Sequence, residues 1–169
     1  MLYKPKYFSL QELVSPNIYG YYGDRAWRFL DHRILRAADI IRGLVDCPCV
    51  INTWSLNQTN AWWKDNRFSS GYRNPLIHDH KHYLNTGQIK IIIQPDHYYN
   101  PTSQHSHGRA VDMLCRDHTA EQLRQIVYKN RDSFFGLITG IEDGVSWLHI
   151  DCGNRTPNHL DQFYLFSKK

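Results

Sequence analysis

Phe134-Phe135-Gly136-Leu137-Ile138-Thr139-Gly140-Ile141-Glu142-Asp143-Gly144-Val145-Ser146-Trp147-Leu148-His149-Ile150-Asp151 holds two apolar-rich runs around a Glu-Asp-Gly centre. That centre is turn chemistry, because Asp bonds its own backbone and Gly accepts positive φ. The stretch predicts two strands, over 134–141 and 145–150, joined by a turn. Working outward, Arg109 to Leu114, Ile89 to Ile93 and Cys49 to Trp54 read as strands, and Phe163 to Phe166 as a last one. Helix signals lie mainly earlier. Ser9-Leu10-Gln11-Glu12 has the form of a capping box. Trp27, Leu30, Ile34, Leu35, Ala38, Ile41 and Leu44 recur at helical spacing and predict one helix over 25–44, with Pro48 barring its continuation. Thr119 caps a second helix over 120–129. Helices mostly first and strands mostly later predict an α+β fold. Residues 55–88 are polar, aromatic and irregular, and a loop of that length is often functional.

The chain of 169 residues has the length of one domain, spanning 1–169, with a helical part near 8–46 and a core near 50–166. At 41% hydrophobic and 14% aromatic it can bury a real core, which excludes a disordered chain. No apolar run reaches the ~20 residues of a membrane span, so no membrane insertion is expected. The net charge of +4 comes from scattered Lys and Arg, so no nucleic-acid partner is expected either. Met1 to Lys6 lacks the apolar stretch of a secretory signal, so synthesis in a cytoplasm is expected. Cys47-Pro48-Cys49 is the wrong spacing for a redox Cys-x-x-Cys, and no second pair matches a zinc ribbon. The expectation for the four cysteines is reduced, buried thiols.

Ser103-Gln104-His105-Ser106-His107-Gly108-Arg109-Ala110-Val111-Asp112 brings an imidazole and a carboxylate together around a small-residue turn. Ser146-Trp147-Leu148-His149-Ile150-Asp151 offers a second imidazole. On a strand, Trp147, His149 and Asp151 share one face, away from Leu148 and Ile150. Two His and one Asp are what a catalytic zinc site needs, with its fourth position left for water. Asp151 is placed to orient a ligating imidazole. Glu142 and Asp143, in the turn before His149, are candidates for the general base. Arg73, in Ser70-Gly71-Tyr72-Arg73, offers a planar guanidinium to a carboxylate.

Together these strings resemble the D-Ala-D-Ala carboxypeptidase family of zinc peptidases, which includes phage endolysins cutting L-Ala-D-Glu bonds and is related in fold to hedgehog signalling domains. Ser103, His105, Gly108, Ala110 and Asp112 match the fixed positions of its Ser-x-His-x-x-Gly-x-Ala-x-Asp signature. Trp147, His149 and Asp151 match its second signature, and Ser70 to Arg73 an upstream one. The opening Phe8 to Leu13 and the segment Glu142 to Trp147 are similar to phage-encoded members. The resemblance implies a central antiparallel sheet with helices on one side. It implies zinc held by His105, Asp112 and His149, and substrate contacts from Arg73, Ser103 and Trp147. It also implies a monomer acting on peptidoglycan stem peptides, made in a host bacterium's cytoplasm and reaching the wall after release. Many members carry the catalytic carboxylate where this chain has Ser146. Others have Glu-x-Gly-Ser-Trp-x-His, which Asp143 fits by count and Glu142 fits with Val145 as an extra residue; the longer reach of Glu142 favours it. The alternative is a catalytically silent zinc-containing module that binds cell wall or protein.

Overall fold

The computed structural model describes residues 2–56, 61–63, 67, 69–73, 102–154 and 163–167, together with the backbone of 79–83 and 89–93. Helix α1 (Leu10–Leu13) opens on the expected capping box, with Glu12 accepting from the Ser9 backbone at 3.0 Å. Helix α2 (Pro16–Tyr22) starts on proline, whose missing N–H costs nothing in a first turn. The helix expected over 25–44 is two pieces: a 3-10 stretch, Gly23–Phe29, and α3, His32–Val45. The break is a capping event. The Asp31 carboxylate accepts from the Arg33 N–H, so a new helix begins where the apolar spacing runs on. Leu44, assigned to the buried stripe, is exposed, because the buried face of α3 continues from Ile41 to Val45, four residues on, and leaves Leu44 beside it.

Strand β1 is Cys49–Val50, shorter than the run over 49–54. Two strands, β2 (Asp79–Tyr83) and β3 (Ile89–Ile93), pair antiparallel as a separate ribbon. The first of them lies within the stretch read as irregular; most of 55–88 falls outside the described residues. Then come β4 (Ala110–Cys115), α4 (Ala120–Lys129), β5 (Gly140–Asp143), β6 (Leu148–Asp151) and β7 (Tyr164–Ser167). Residues 134–139, expected to begin a strand, do not: Phe134 ends a 3-10 turn, Arg131–Phe134, that buries it completely, and the strand starts only at Gly140.

The sheet order is β1-β4-β6-β5-β7. The first three pairings are antiparallel and the last, β5 with β7, is parallel, so the fold is α+β around a mixed sheet. The parallel edge has a simple cause. β6 already has a neighbour on each side, so the returning chain reverses direction and docks outside β5. Helices α3 and α4 pack against each other, α3 against β4 and α4 against β6. Val111, Met113, Leu148 and Ile150 join Ile34, Leu35, Ile41, Leu123 and Val127 in the apolar core. Each such side chain contributes roughly 1.5–3 kcal/mol by leaving water. Period-two alternation then sends Asp112, His149 and Asp151 to the opposite face.

The cysteine expectation is corrected at Cys49 and Cys115, which form a disulfide. The register sets them directly opposite each other on β1 and β4, with Cα atoms 4.1 Å apart. Cys47 and Cys152 are free and buried, as expected of thiols in a core. No helix among the described residues is long and apolar enough to cross a membrane.

Candidate metal centre

Three elements deliver the three expected ligands. His105 lies on a 3-10 turn, Gln104–His107, introduced by Ser103 and closed by Gly108 at φ 65°. Asp112 on β4 is paired in register with His149 on β6. His149 is in turn paired with Glu142 on β5, and Glu142 with Phe166 on β7. Four site side chains therefore form one row across four adjacent strands.

Two glycines let the supporting loops reach the helical layer. A Cβ on Gly108 would sit 1.7 Å from the Phe29 carbonyl oxygen, and one on Gly71 would sit 2.1 Å from that of Leu13. Asp31 N–H donates to the Gly108 carbonyl at 2.9 Å and Tyr72 N–H to the Leu13 carbonyl at 2.8 Å. Asn52, fully buried, donates to Val14 O and accepts from the Ser70 N–H, and the Arg73 N–H donates to His105 O, so the Ser70–Arg73 loop is tied down at both ends.

His105 Nε2, Asp112 Oδ1 and His149 Nδ1 converge. His105 Nε2 is 3.3 Å from each of the other two, and His149 Nδ1 donates to Asp112 Oδ1 at 2.7 Å. Ligands of a tetrahedral ion at ~2.0–2.1 Å stand about 3.3 Å apart, so two of the three edges already have the length of such a site. The outer nitrogens are also engaged. His105 Nδ1 donates to Gly71 O at 3.0 Å, which leaves the Nε2 lone pair facing its partners. His149 Nε2 lies 3.6 Å from Asp151 Oδ2, the expected orienting carboxylate. All four residues are buried, and the three ligand atoms could hold a metal ion.

The electrostatics divide the three groups. Burial pushes His149 toward neutrality, but hydrogen bonds to Asp112 and Asp151 outweigh it and hold its pKa up at about 9. His105 is pushed down by burial, against the pull of Asp112. Burial opposes the charge on Asp112 too, yet both imidazoles overcome it and hold the carboxyl far below the usual range. The site thus keeps one secure anion and one neutral imidazole with a free lone pair.

The remaining expected residues divide. Arg73, Ser103, Glu142 and Trp147 line the same cleft, of about 260 Å³, with Thr102, Gln104, Asp151 and Phe166. Arg73 Nη2 is 3.5 Å from Asp112 Oδ2, and Glu142 Oε2 is 4.0 Å from His149 Nδ1. Asp143 does not join them. The strand alternates, so its carboxylate points into solvent, accepts from the Gly144 N–H and pairs with Arg124 at 3.5 Å. His107 is exposed and outside the cleft lining. Trp147 also borders a neighbouring cavity with Trp62, Trp63 and Arg67.

Sequence reasoning missed Arg124. This buried guanidinium reaches from α4 to the carbonyls of Glu142, Val145 and Trp147 at 3.3–3.4 Å and pins the turn that presents Glu142. Its only sequence signal is a basic residue beside the apolar positions Leu123 and Val127 of α4. Comparison with protein-family models, with curated proteins and with solved structures finds no match to this chain.

Proposed function

We propose that this protein is a zinc peptidase that hydrolyses peptide bonds in bacterial peptidoglycan stem peptides, in the manner of a D-Ala-D-Ala carboxypeptidase or an endolysin-type endopeptidase. The observation that carries the reading is the convergence of His105, Asp112 and His149 in one cleft with a buried carboxylate, Glu142, beside them. The donor set, two imidazoles and a carboxylate with both outer ring nitrogens engaged, suits zinc. Bound there, zinc supplies a Lewis acid that polarises a carbonyl and eases deprotonation of water.

The chain's own residues supply the rest. Glu142 is close enough to the ligand triangle to take a proton from the attacking water and pass it to the leaving amine. Arg73, at the cleft edge, holds a substrate carboxylate, for which its planar fork is suited. Ser103 shapes the turn that carries His105, and Trp147 walls the cleft. The protein acts as a monomer, made in a bacterial cytoplasm and reaching the wall after release.

The test is mass spectrometry of fragments released from purified Gram-negative peptidoglycan, with and without a zinc chelator. Chelator-sensitive loss of terminal D-Ala identifies a carboxypeptidase, and chelator-sensitive release of stem peptides an endopeptidase. Glu142→Gln should keep the metal and abolish either product. A metal-loaded wild type that releases nothing overturns the enzyme reading in favour of a binding module.

A further inference from the structure

Among the described residues, a second cluster of metal-ligating atoms lies outside the cleft. The sulfurs of Cys47, Cys49 and Cys115 all lie within 4.8 Å of one another. His118 brings its Nδ1 to 3.5 Å from the Cys47 sulfur. We propose that these three thiolates and His118 form a second, structural site for a soft divalent cation of the zinc class, and that the Cys49–Cys115 disulfide is the oxidised form of the same cluster.

Three observations carry this. The donor set is three cysteines and one histidine, the composition of closed structural zinc sites. The ligands come as two short chelating loops on facing strands. Cys47-Pro48-Cys49 leads from α3 into β1, while Cys115-Arg116-Asp117-His118 turns back so tightly that Cys115 and His118 are bridged. One edge already has the spacing of a tetrahedron, while His118 stands outside the 4.8 Å group formed by the three sulfurs and would close on it as the disulfide opens. Sulfur and nitrogen ligands at ~2.3 and ~2.0 Å stand about 3.5 Å apart, the spacing found between Cys47 and His118. A disulfide uses two of the three buried sulfurs and leaves Cys47, 5% exposed, against an imidazole. A four-ligand site uses all of them.

The two forms interconvert with atoms and electrons in balance. A dithiol reductant gives two electrons to the Cys49–Cys115 bond, which breaks as the reductant's own sulfur–sulfur bond forms. Its two protons pass to the freed sulfurs. The cation then displaces the three thiol protons to solvent and binds His118 as a neutral imidazole. With four protein ligands it has no open position, so its role is to clamp β1 to the end of β4, the strand that carries Asp112.

The test uses the full chain, reduced with a dithiol and titrated with cobalt(II) as a spectroscopic stand-in for zinc. The expected result is two ions per chain, one of them with thiolate-to-cobalt charge-transfer bands. Cys47→Ser should remove the banded ion alone and His149→Ala the other alone, while Cys152→Ser should keep both. Wild-type protein provides a measurement that needs no variant to fold. Zinc should slow alkylation of Cys47, Cys49 and Cys115, mapped by mass spectrometry, and a chelator should restore it. Absence of thiolate bands in reduced wild type, or alkylation rates indifferent to zinc, would overturn the proposal.

Discussion

At the scale of single residues, two glycines at positive φ predict losses of different size. Gly108 combines φ 65° with a carbonyl oxygen 1.7 Å from where a Cβ would stand. Gly144 has φ 74° but open space around it. Gly108→Ala should therefore cost well over about 2 kcal/mol and lose metal binding, because the turn carrying His105 must move. Gly144→Ala should cost only about 1–2 kcal/mol, the conformational penalty alone. Urea unfolding of both variants checks this; equal losses would show that contact with Phe29 is not what fixes the loop. The signature residues were the most legible part of the chain. His105, Asp112 and His149 could be named only together, because a lone imidazole or carboxylate has many other uses and it was the two strings in order, with the family signature they resemble, that singled them out. The pleat separates Glu142, in the cleft, from Asp143, outside it, since adjacent residues on a strand face opposite ways.

Elements explain what the residues cannot. Arg124 on α4 bonds three carbonyls of the Glu142–Trp147 turn from a buried position. Arg124→Leu should destabilise the fold by about 2–4 kcal/mol and cut turnover more than metal affinity. Calorimetric metal titration beside a peptidoglycan assay separates the two effects. Residue type alone could not single out Arg124, because an arginine on a helix reads as solvated until the turn opposite it is known. Helix α3 supplies a pH prediction. Burial raises the Asp31 carboxyl, but hydrogen bonds from the Arg33 side chain and backbone win, so its folded pKa lies below the unfolded one. A depressed carboxylate contributes stability above its unfolded pKa, ~3.9, and loses that contribution as pH falls through the folded value. The stability gap between wild type and Asp31→Asn should be full at neutral pH and should close in acid. Denaturation midpoints across pH 2 to 7 measure it, and a gap that widens in acid would contradict the assignment. The same cap divided the helix expected over 25–44, because apolar spacing continued through a position where hydrogen bonding begins a new element.

For the whole molecule, the three candidate ligands span the sheet and its supporting turn, so a metal held by them would be linked to the fold. Removing the ion with a chelator should lower Tm, since a ligand bound only to the native state stabilises it by mass action. An unchanged Tm for a protein shown to lose its ion would mean the row across the strands is rigid without it. The α+β class was readable from the order of elements. The parallel edge strand and the β1–β4 disulfide were not, since both depend on which strands become neighbours.

The strand order also has a consequence in time. Synthesis produces β1, β4, β5 and β6 in that sequence, yet β6 ends between β4 and β5. A nascent chain that has just emerged through Asp112 has two of the three candidate ligands and at most two of the five strands, with one edge of β4 unpaired. Only when the hairpin of β5 and β6 has left the ribosome can His149 reach Asp112. Assembly of the centre is thus a late, long-range event, and long-range pairing is slow. A chain stalled before residue 149 would lack the strand that sits between β4 and β5 and the last of the three candidate ligands.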